Sequence, residues 1–261
     1  MAVMNDIKAE WEKMREKPLR ERIQYFMSYY KWYVVACVAV IAIIATILVG
    51  NLLKKEPILS GVMLNSTNAS SDSAFDDFSN RFLDAIGMDG EEFEVSIASN
   101  LTYRPEDKES LETNYTTVQT LAAQTAGALM DFIAGDLPTL QNLAYSSFFV
   151  DLSGVLSQEQ MEQLSPYLCY IDMAIIETLE EAAQAGNYDI DIEIPDCKKP
   201  EDMQKPIAVL LDVSSSGWFT EIYPYAAKSV VLGVAVNAPH MQAVLQLIDC
   251  LLLQQEQLET E

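Results

Sequence analysis

Residues 32–53, WYVVACVAVIAIIATILVGNLL, determine the architecture that the sequence predicts. These 22 residues contain no charge, and nearly all of those at 34–49 are Val, Ile, Ala or Leu. At a rise of about 1.5 Å per residue such a helix is about 33 Å long, enough to cross a hydrocarbon core of about 30 Å. Lys31 precedes the stretch and Lys54 follows it. The sequence therefore predicts a single transmembrane helix at 32–53.

Positive charge on the two flanks predicts the orientation of this helix. Six Lys and Arg lie within twenty residues before it, whereas only Lys54 and Lys55 follow it closely. Because the flank richer in Lys and Arg stays inside, we expect residues 1–31 in the cytoplasm and the domain of residues 54–261 outside. The predicted location is the cell membrane, with the lipid bilayer as the first partner.

The ends of the predicted helix contain residues suited to the interface between lipid and water. Aromatic rings with one polar tip fit the headgroup layer, and lysine side chains extend toward it. The predicted membrane anchor comprises Tyr29, Tyr30, Trp32, Tyr33, Lys54 and Lys55. For residues 1–31 two alternatives stay open. They form an amphipathic helix on the inner leaflet, broken near Pro18, or an ordinary solvated tail.

The outer domain is strongly acidic. Residues 56–261 contain 34 Asp and Glu against seven Lys and Arg, a net charge of −27. This field repels phosphate backbones and anionic lipid, so nucleic acid is excluded as a partner. High net charge also keeps a domain soluble. The acidity thus excludes classes of partner without identifying one.

Cysteine and histidine usage argues against metal binding and catalysis. Cys169, Cys197 and Cys250 lie in the outer domain without CxxC spacing, so we expect no zinc site and at most one disulfide, with three pairings open. His240, the only histidine, follows Pro239 and has no nucleophile motif near it. No glycine-rich phosphate loop is present. We therefore predict a protein that is not an enzyme, with no catalytic residue, metal or cofactor.

Apolar periodicity predicts alternating strands and helices in the outer domain. Apolar residues repeat at spacings of three and four from Phe75 to Ile86, typical of one helix face, whereas Phe93, Val95 and Ile97 alternate with polar residues, typical of a strand. Further strands are predicted at 57–64, 130–134, 207–213 and 229–236, and further helices at 118–129, 157–165 and 241–252. A strand, a helix and a strand in succession imply a parallel βαβ unit.

Three stretches leave alternatives. Residues 171–185 form either a strand leading into a helix or one continuous helix. Ile190, Ile192 and Ile194 alternate with acidic residues, which favours a solvated strand face over a calcium site, since no EF-hand spacing accompanies them. Trp218 and Phe219 follow a polar turn and form either an exposed aromatic platform for a sugar or peptide, or part of the core or a loop plug.

Two stretches resemble the extracellular solute-binding proteins of bacterial ABC transporters. The first runs from the helix at 115–129 through MDFIAGD at 130–136 to FVDLS at 149–153, and the second is VLGVAVNAPH at 231–240. The resemblance implies an α/β fold, with one N-terminal transmembrane helix followed by a reduced periplasmic-binding-protein-like extracytoplasmic domain of a Gram-positive, clostridia-like bacterium. It also implies that Asp136 and Leu137 lie at a strand end facing the ligand cleft.

The resemblance leaves two functions in view. Importer binding proteins usually have a lipidated cysteine and two lobes of similar size, whereas this chain lacks a lipobox and its outer domain has about 205 residues. The first function is a tethered module that binds a ligand, through Asp136, Leu137, Trp218 and Phe219, or a transporter component. The second is an accessory or scaffold protein of an envelope complex. An aromatic-lined cleft would favour the first, and a filled cleft with an exposed apolar patch the second.

Overall fold

The computed structural model describes residues 18, 20, 32–33, 35–46, 55–66, 71–187, 192–219, 222–223 and 229–259. The chain divides into two compact units, residues 1–54 and residues 55–261. In the first unit, residues 32–33 and 35–46 are helical. Within the described ranges, no helix is both long enough and apolar enough to cross a membrane.

Part of the predicted membrane segment lies outside the described residues. Residues 34 and 47–53 of the span lie outside the described residues, as do Tyr29, Tyr30 and Lys54 of the predicted anchor and nearly all of residues 1–31. Trp32 and Tyr33 are helical and exposed, and Lys55 is an exposed residue directly before the first strand. The transmembrane helix and its orientation therefore stay predictions.

The second unit is a mixed α/β domain with six strands and six α-helices in its described residues. In chain order these are β1 (Glu56–Met63), α1 (Ser71–Ile86), β2 (Phe93–Ala98), α2 (Leu111–Ala126), β3 (Phe132–Asp136), α3 (Leu137–Tyr145), α4 (Gln158–Leu164), β4 (Leu168–Asp172), α5 (Met173–Gln184), β5 (Pro206–Asp212), β6 (Val230–Val234) and α6 (Met241–Glu259). The predicted α/β class is confirmed.

All six strands belong to one sheet with the order β2-β1-β3-β6-β5-β4. Strand β1 pairs in parallel with β2 on one side and with β3 on the other. The pairs β3–β6, β6–β5 and β5–β4 are antiparallel. The chain therefore passes from β1 through α1 to β2 on one side of β1, and then through α2 to β3 on the other side of β1. Such a reversal opens a crevice outside the carboxyl ends of β1 and β3.

Helices cover both faces of the sheet. One hydrophobic cluster joins Phe78 and Phe82 of α1 and Val244 of α6 to the sheet residues Leu59 and Phe132. A second cluster, on the other face, joins residues of α2, α3 and α5 to the sheet; its members include Leu121, Leu140, Ile176, Ile133 and Val231. Apolar residues of adjacent positions along one strand thus enter opposite clusters, as the alternation of side chains in a strand requires.

Most predicted elements are found, with one error. Residues 171–185 follow the first alternative, since β4 ends at Asp172 and α5 begins at Met173. Ser157 and Gln160 form the predicted capping box of α4. The strand predicted around Ile192 and Ile194 is wrong for residues 192–196, which are irregular. Their alternating pattern lacks a ladder partner, and Pro195 supplies no N–H for one.

Candidate functional site

The carboxyl ends of β1 and β3 are the first place to examine, because ligands of open α/β sheets bind where the connections diverge. Asp136 ends β3 and Leu137 begins α3, so both lie at a strand end, as the sequence implied. Asn65 follows β1 and has a φ of 56°, in the left-handed region that Asn tolerates better than most residues. These residues are brought together from segments about seventy positions apart in the chain.

The polar atoms at this crevice hydrogen-bond one another. Oδ1 of Asp136 accepts the backbone N–H of Thr139 at 3.1 Å, and its Oδ2 accepts the Asn65 amide at 3.0 Å and the Thr139 hydroxyl at 2.9 Å. The Asn65 amide also donates to the carbonyl of Tyr103 at 2.8 Å, and its Oδ1 accepts the Tyr103 N–H at 2.9 Å. The Asp136 carboxylate therefore caps α3 and holds two loops, which leaves little of it for a solute.

Tyr223 has a buried side chain that contacts the same end of the sheet. Its hydroxyl lies 3.0 Å from the carbonyl oxygens of both Leu64 and Ala134, to which it donates. Burial, followed by the nearby negative charge of Asp136, raises the pKa of Tyr223 well above its usual value. The side chain is thus a neutral donor that joins the ends of β1 and β3.

Trp218 and Phe219 are not an exposed platform. They are 5% and 1% exposed, and the ring of Phe78 meets each of them edge-on with 5.5 Å between centroids. The core alternative is therefore confirmed. The interpretation of these two residues as ligand contacts for a sugar or peptide is wrong, because both rings are buried against α1.

A second polar contact lies at the opposite end of β3. Asp131, which is fully buried, accepts the backbone N–H of Ser60 at 2.7 Å and that of His240 at 2.7 Å. Its Oδ2 also lies 3.0 Å from Nδ1 of His240. A carboxylate that orients Nδ1 leaves Nε2 as the chemically available nitrogen. Among the described residues no serine, threonine or cysteine hydrogen-bonds to this imidazole.

Sequence reasoning missed the partner of His240. The available signal was an aspartate inside an apolar run, at Asp131 of MDFIAGD, because a buried carboxylate requires donors. Cys169 and Cys197 are also brought together, since both are buried in the same cluster and the N–H of Tyr170 donates to the carbonyl of Cys197 at 2.8 Å. In the part of the chain that the structure describes, no group of three or more His, Cys, Asp or Glu could hold a metal ion.

The outer face of α2 differs from the rest of the surface. The helix buries Asn114, Thr117 and Leu121 and leaves Leu111 and Tyr115 exposed by 66% and 67%. Ala122 and Ala126 are exposed on the same side, and Leu129, after the helix, is 66% exposed. We call Leu111, Tyr115, Ala122, Ala126 and Leu129 the α2 stripe. Spacings of four, seven and four place Leu111, Tyr115, Ala122 and Ala126 along one side of the helix, and Leu129 follows the end of the helix.

After the first turn of α2, where Glu112 is exposed, charge is absent from the exposed residues. Ten of residues 113–130 are exposed and none of them is charged. By contrast, the exposed residues of α1 include Asp76, Asp77, Arg81 and Asp84, and those of α5 include Glu177, Glu180 and Glu181. Depletion of charge together with exposed aromatic and aliphatic side chains is the compositional signature of the centre of a protein interface.

The fold defines residues 55–261 as a three-layer α/β domain built on a mixed six-stranded sheet. No protein family, curated protein or solved structure matches the chain.

Proposed function

We propose that the chain is a single-pass membrane protein whose outer α/β domain docks onto another envelope protein, such as a transporter component, through the α2 stripe. The observation that carries the proposal is the exposure of Leu111, Tyr115 and Leu129, each by about two thirds. After Glu112 the exposed residues of α2 carry no charge, in a domain with net charge −27. An exposed apolar surface in water is unfavourable unless a partner covers it.

The partner's chemistry follows from the charge distribution. After Glu112 the exposed residues of α2 are uncharged, so the complementary surface is mostly apolar. Two copies of this outer domain would repel each other through their acidic surfaces. A different protein with an apolar helix or strand face is therefore favoured over self-association.

The membrane anchor is supported by the helix of residues 35–46. Its large apolar side chains are each at least 50% exposed: Val35, Val38, Val40, Ile41, Ile43 and Ile44. A helix that is apolar all round requires either a protein interior or lipid. We infer that residues 32–53 cross the bilayer, with residues 1–31 inside, because the cation excess lies on that flank.

Solute binding at the carboxyl ends of β1 and β3 is the second candidate. The strand order favours it, because the crossover reverses there. The pairing of Asp136 with Asn65 and Thr139 argues against it, because a solute would have to break those hydrogen bonds. Thermal-shift screening of the full chain against sugars, peptides and metal ions separates the candidates, since a ligand of the native state raises the melting temperature.

Site-specific photocrosslinking tests the docking proposal. A photoreactive phenylalanine replaces Tyr115 in the full chain in its native membranes, and the matched control carries the same group at Thr178, an exposed position of α5. We expect one discrete adduct from position 115, none from position 178, and loss of the adduct when Leu111→Glu is added. Mass spectrometry must identify the adduct as an envelope protein that binds the purified chain.

Two results would overturn the proposal. One is an adduct of the chain with itself, which would make the α2 stripe a dimer surface. The other is equal crosslinking from positions 115 and 178, which would indicate chance encounters. Leu111→Glu must leave the free energy of unfolding within about 0.5 kcal/mol of the parent, as expected for an exposed side chain, so that lost crosslinking reports docking and not unfolding.

A further inference from the structure

Cys169 and Cys197 are placed side by side by the backbone. Cys169 lies in β4, and Cys197 lies in the irregular segment that precedes β5. The pairing of β4 with β5 shifts register between Cys169 and Tyr170, and the N–H of Tyr170 donates to the carbonyl of Cys197 at 2.8 Å. The segment containing Cys197 is thus held directly against β4.

The side chains of Cys169 and Cys197 are shielded from water in the same hydrophobic cluster. They are 1% and 4% exposed. Hydrogen bonding to Cys197, and then burial, raises the pKa of Cys169, whereas hydrogen bonding to Cys169 lowers the pKa of Cys197. Cys197 is therefore the sulfur that ionises first and is the better nucleophile of the two at neutral pH.

Cys250, the third cysteine of the outer domain, is on the other side of the sheet. It lies in α6 and packs against the hydrophobic cluster of α1 and α6, whereas Cys169 and Cys197 both belong to the cluster of α2, α3 and α5. A disulfide requires Cα atoms within about 7 Å, so a partner on the opposite face of a sheet is excluded. One of the three pairings that the sequence allows thus remains.

We propose that Cys169 and Cys197 form a disulfide that fastens the segment before β5 to β4. The oxidant is a small disulfide such as oxidised glutathione, or a protein disulfide of equivalent chemistry. The Cys197 thiolate attacks one of its sulfurs, forms a mixed disulfide and releases one thiolate. Cys169 then loses its proton and attacks the Cys197 sulfur, which expels the second thiolate. Two protein thiols are oxidised and one external disulfide is reduced to two thiols.

The disulfide would stabilise the folded outer domain. It closes a loop that contains α5, and loop closure in the unfolded chain stabilises the folded state. In the cell the reaction needs an oxidising compartment, so only its occurrence there rests on the outward location proposed above. The pairing itself, and the docking surface on α2, are independent of each other.

Mapping with a glutamate-specific protease tests the pairing. Both cysteines fall in one tryptic peptide, because no Lys or Arg lies between them, but Glu177 and Glu193 do. The full chain is purified in detergent, incubated with oxidised and reduced glutathione, quenched with acid, alkylated and digested after glutamate. We expect a peptide pair that contains Cys169 and Cys197 and that separates on reduction.

Variants make the test decisive. Cys250→Ser should keep the linked peptides, whereas Cys169→Ser and Cys197→Ser should lose them. Oxidation should raise the melting temperature of the parent and of Cys250→Ser by about 10 °C and leave the other two unchanged. Full alkylation of Cys169 and Cys197 after incubation with oxidised glutathione, or a linkage to Cys250, would overturn the proposal.

The same alkylation performed on intact cells separates this inference from the proposed topology. A chain that is oxidised at Cys169 and Cys197 in the cell supports both. Free thiols in the cell, in a chain that forms the linkage after purification, support the pairing and contradict the outward location of the domain.

Discussion

Asp131 and His240 lie 109 positions apart in the chain and meet at the amino end of β3, with 3.0 Å between Oδ2 and Nδ1. The carboxylate also accepts the backbone N–H groups of Ser60 and His240. It therefore joins β1, β3 and the start of α6, and it does so mainly through backbone donors.

Asp131→Ala should destabilise the domain by about 3 kcal/mol or more, because two backbone N–H groups lose their acceptor in a fully buried place. His240→Ala should have a smaller effect, of about 1 kcal/mol, since its side chain is partly exposed and its backbone N–H keeps its partner. Urea denaturation measures both. If His240→Ala proves the more destabilising variant, the imidazole and not the backbone contact holds the structure.

Gly61 and Phe132 are paired across β1 and β3, and the phenyl ring lies over the glycine. A Cβ at position 61 would come within 2.2 Å of that ring. We expect Gly61→Ala to lower the free energy of unfolding by roughly 1–3 kcal/mol through overpacking. In a double-mutant cycle, Phe132→Leu should relieve part of that loss.

The control for this prediction is Gly154→Ala. Nothing lies within 4 Å of a Cβ added at Gly154, so this variant should stay within about 0.5 kcal/mol of the parent. If Gly61→Ala changed the free energy of unfolding as little as Gly154→Ala, the ring of Phe132 would move aside without strain.

The strands and most helices could be predicted because their periodicity reflects burial directly. Strand β6, with every residue buried, appears as an unbroken apolar run, and α1 shows apolar residues at three and four spacings. The orientation of α2 could not be predicted. Its buried side includes Asn114 and Thr117, which hydrogen-bond to the backbone of Arg104 and Thr102, and such polar burial has no apolar signal.

The candidate site was predictable only in part. The resemblance implies that Asp136 lies at a strand end, but the hydrogen bonds from Asn65 and Thr139 to its carboxylate depend on a loop far away in the sequence. The contact of Cys169 with Cys197 and that of Asp131 with His240 are likewise products of the sheet order. Periodicity shows which residues face a core, but not which segments are neighbours.

Asp172 makes acid stability testable. Burial by itself would raise the pKa of this carboxyl, but the backbone N–H groups of Gln204, Lys205 and Ala174 donate to it and hold its pKa below the usual value. A carboxyl with a lowered folded pKa stabilises the fold above its unfolded pKa of about 3.9, and that contribution disappears as the pH falls through the folded pKa.

Asp172→Asn should therefore destabilise the domain by about 2 kcal/mol at pH 7. The difference from the parent should shrink as the pH falls below about 4. Unfolding midpoints measured from pH 7 to pH 2.5 test this, and comparison with the parent removes the effect of the other acidic residues. A difference that stays constant across that range would contradict the assignment.

Ala128 follows the C-cap of α2 and has a φ of 50°, in the left-handed region. Its N–H donates to the Thr125 carbonyl and the next N–H, of Leu129, to that of Gln124, which is the Schellman pattern that glycine usually completes. Ala128→Gly should raise the free energy of unfolding by about 0.5–1 kcal/mol, because glycine adopts this conformation without steric strain. Ala122→Gly, inside the helix, should lower the free energy of unfolding by about 1 kcal/mol. If both variants lowered the free energy of unfolding, the backbone at Ala128 would not be strained.

Membrane integration of residues 32–53 gives the last prediction. Sodium carbonate washing of membranes should leave the full chain in the pellet, because a stretch of 22 uncharged, largely apolar residues favours lipid. A matched variant with Ile41→Lys and Ile44→Glu should shift toward the supernatant, since charges at the bilayer centre are expensive. External protease should digest residues 55–261 in intact cells and spare the N-terminal tag of residues 1–31. Protection of the outer domain with retention in the pellet would reverse the orientation, and release of the parent by carbonate would remove the membrane span from the proposed function.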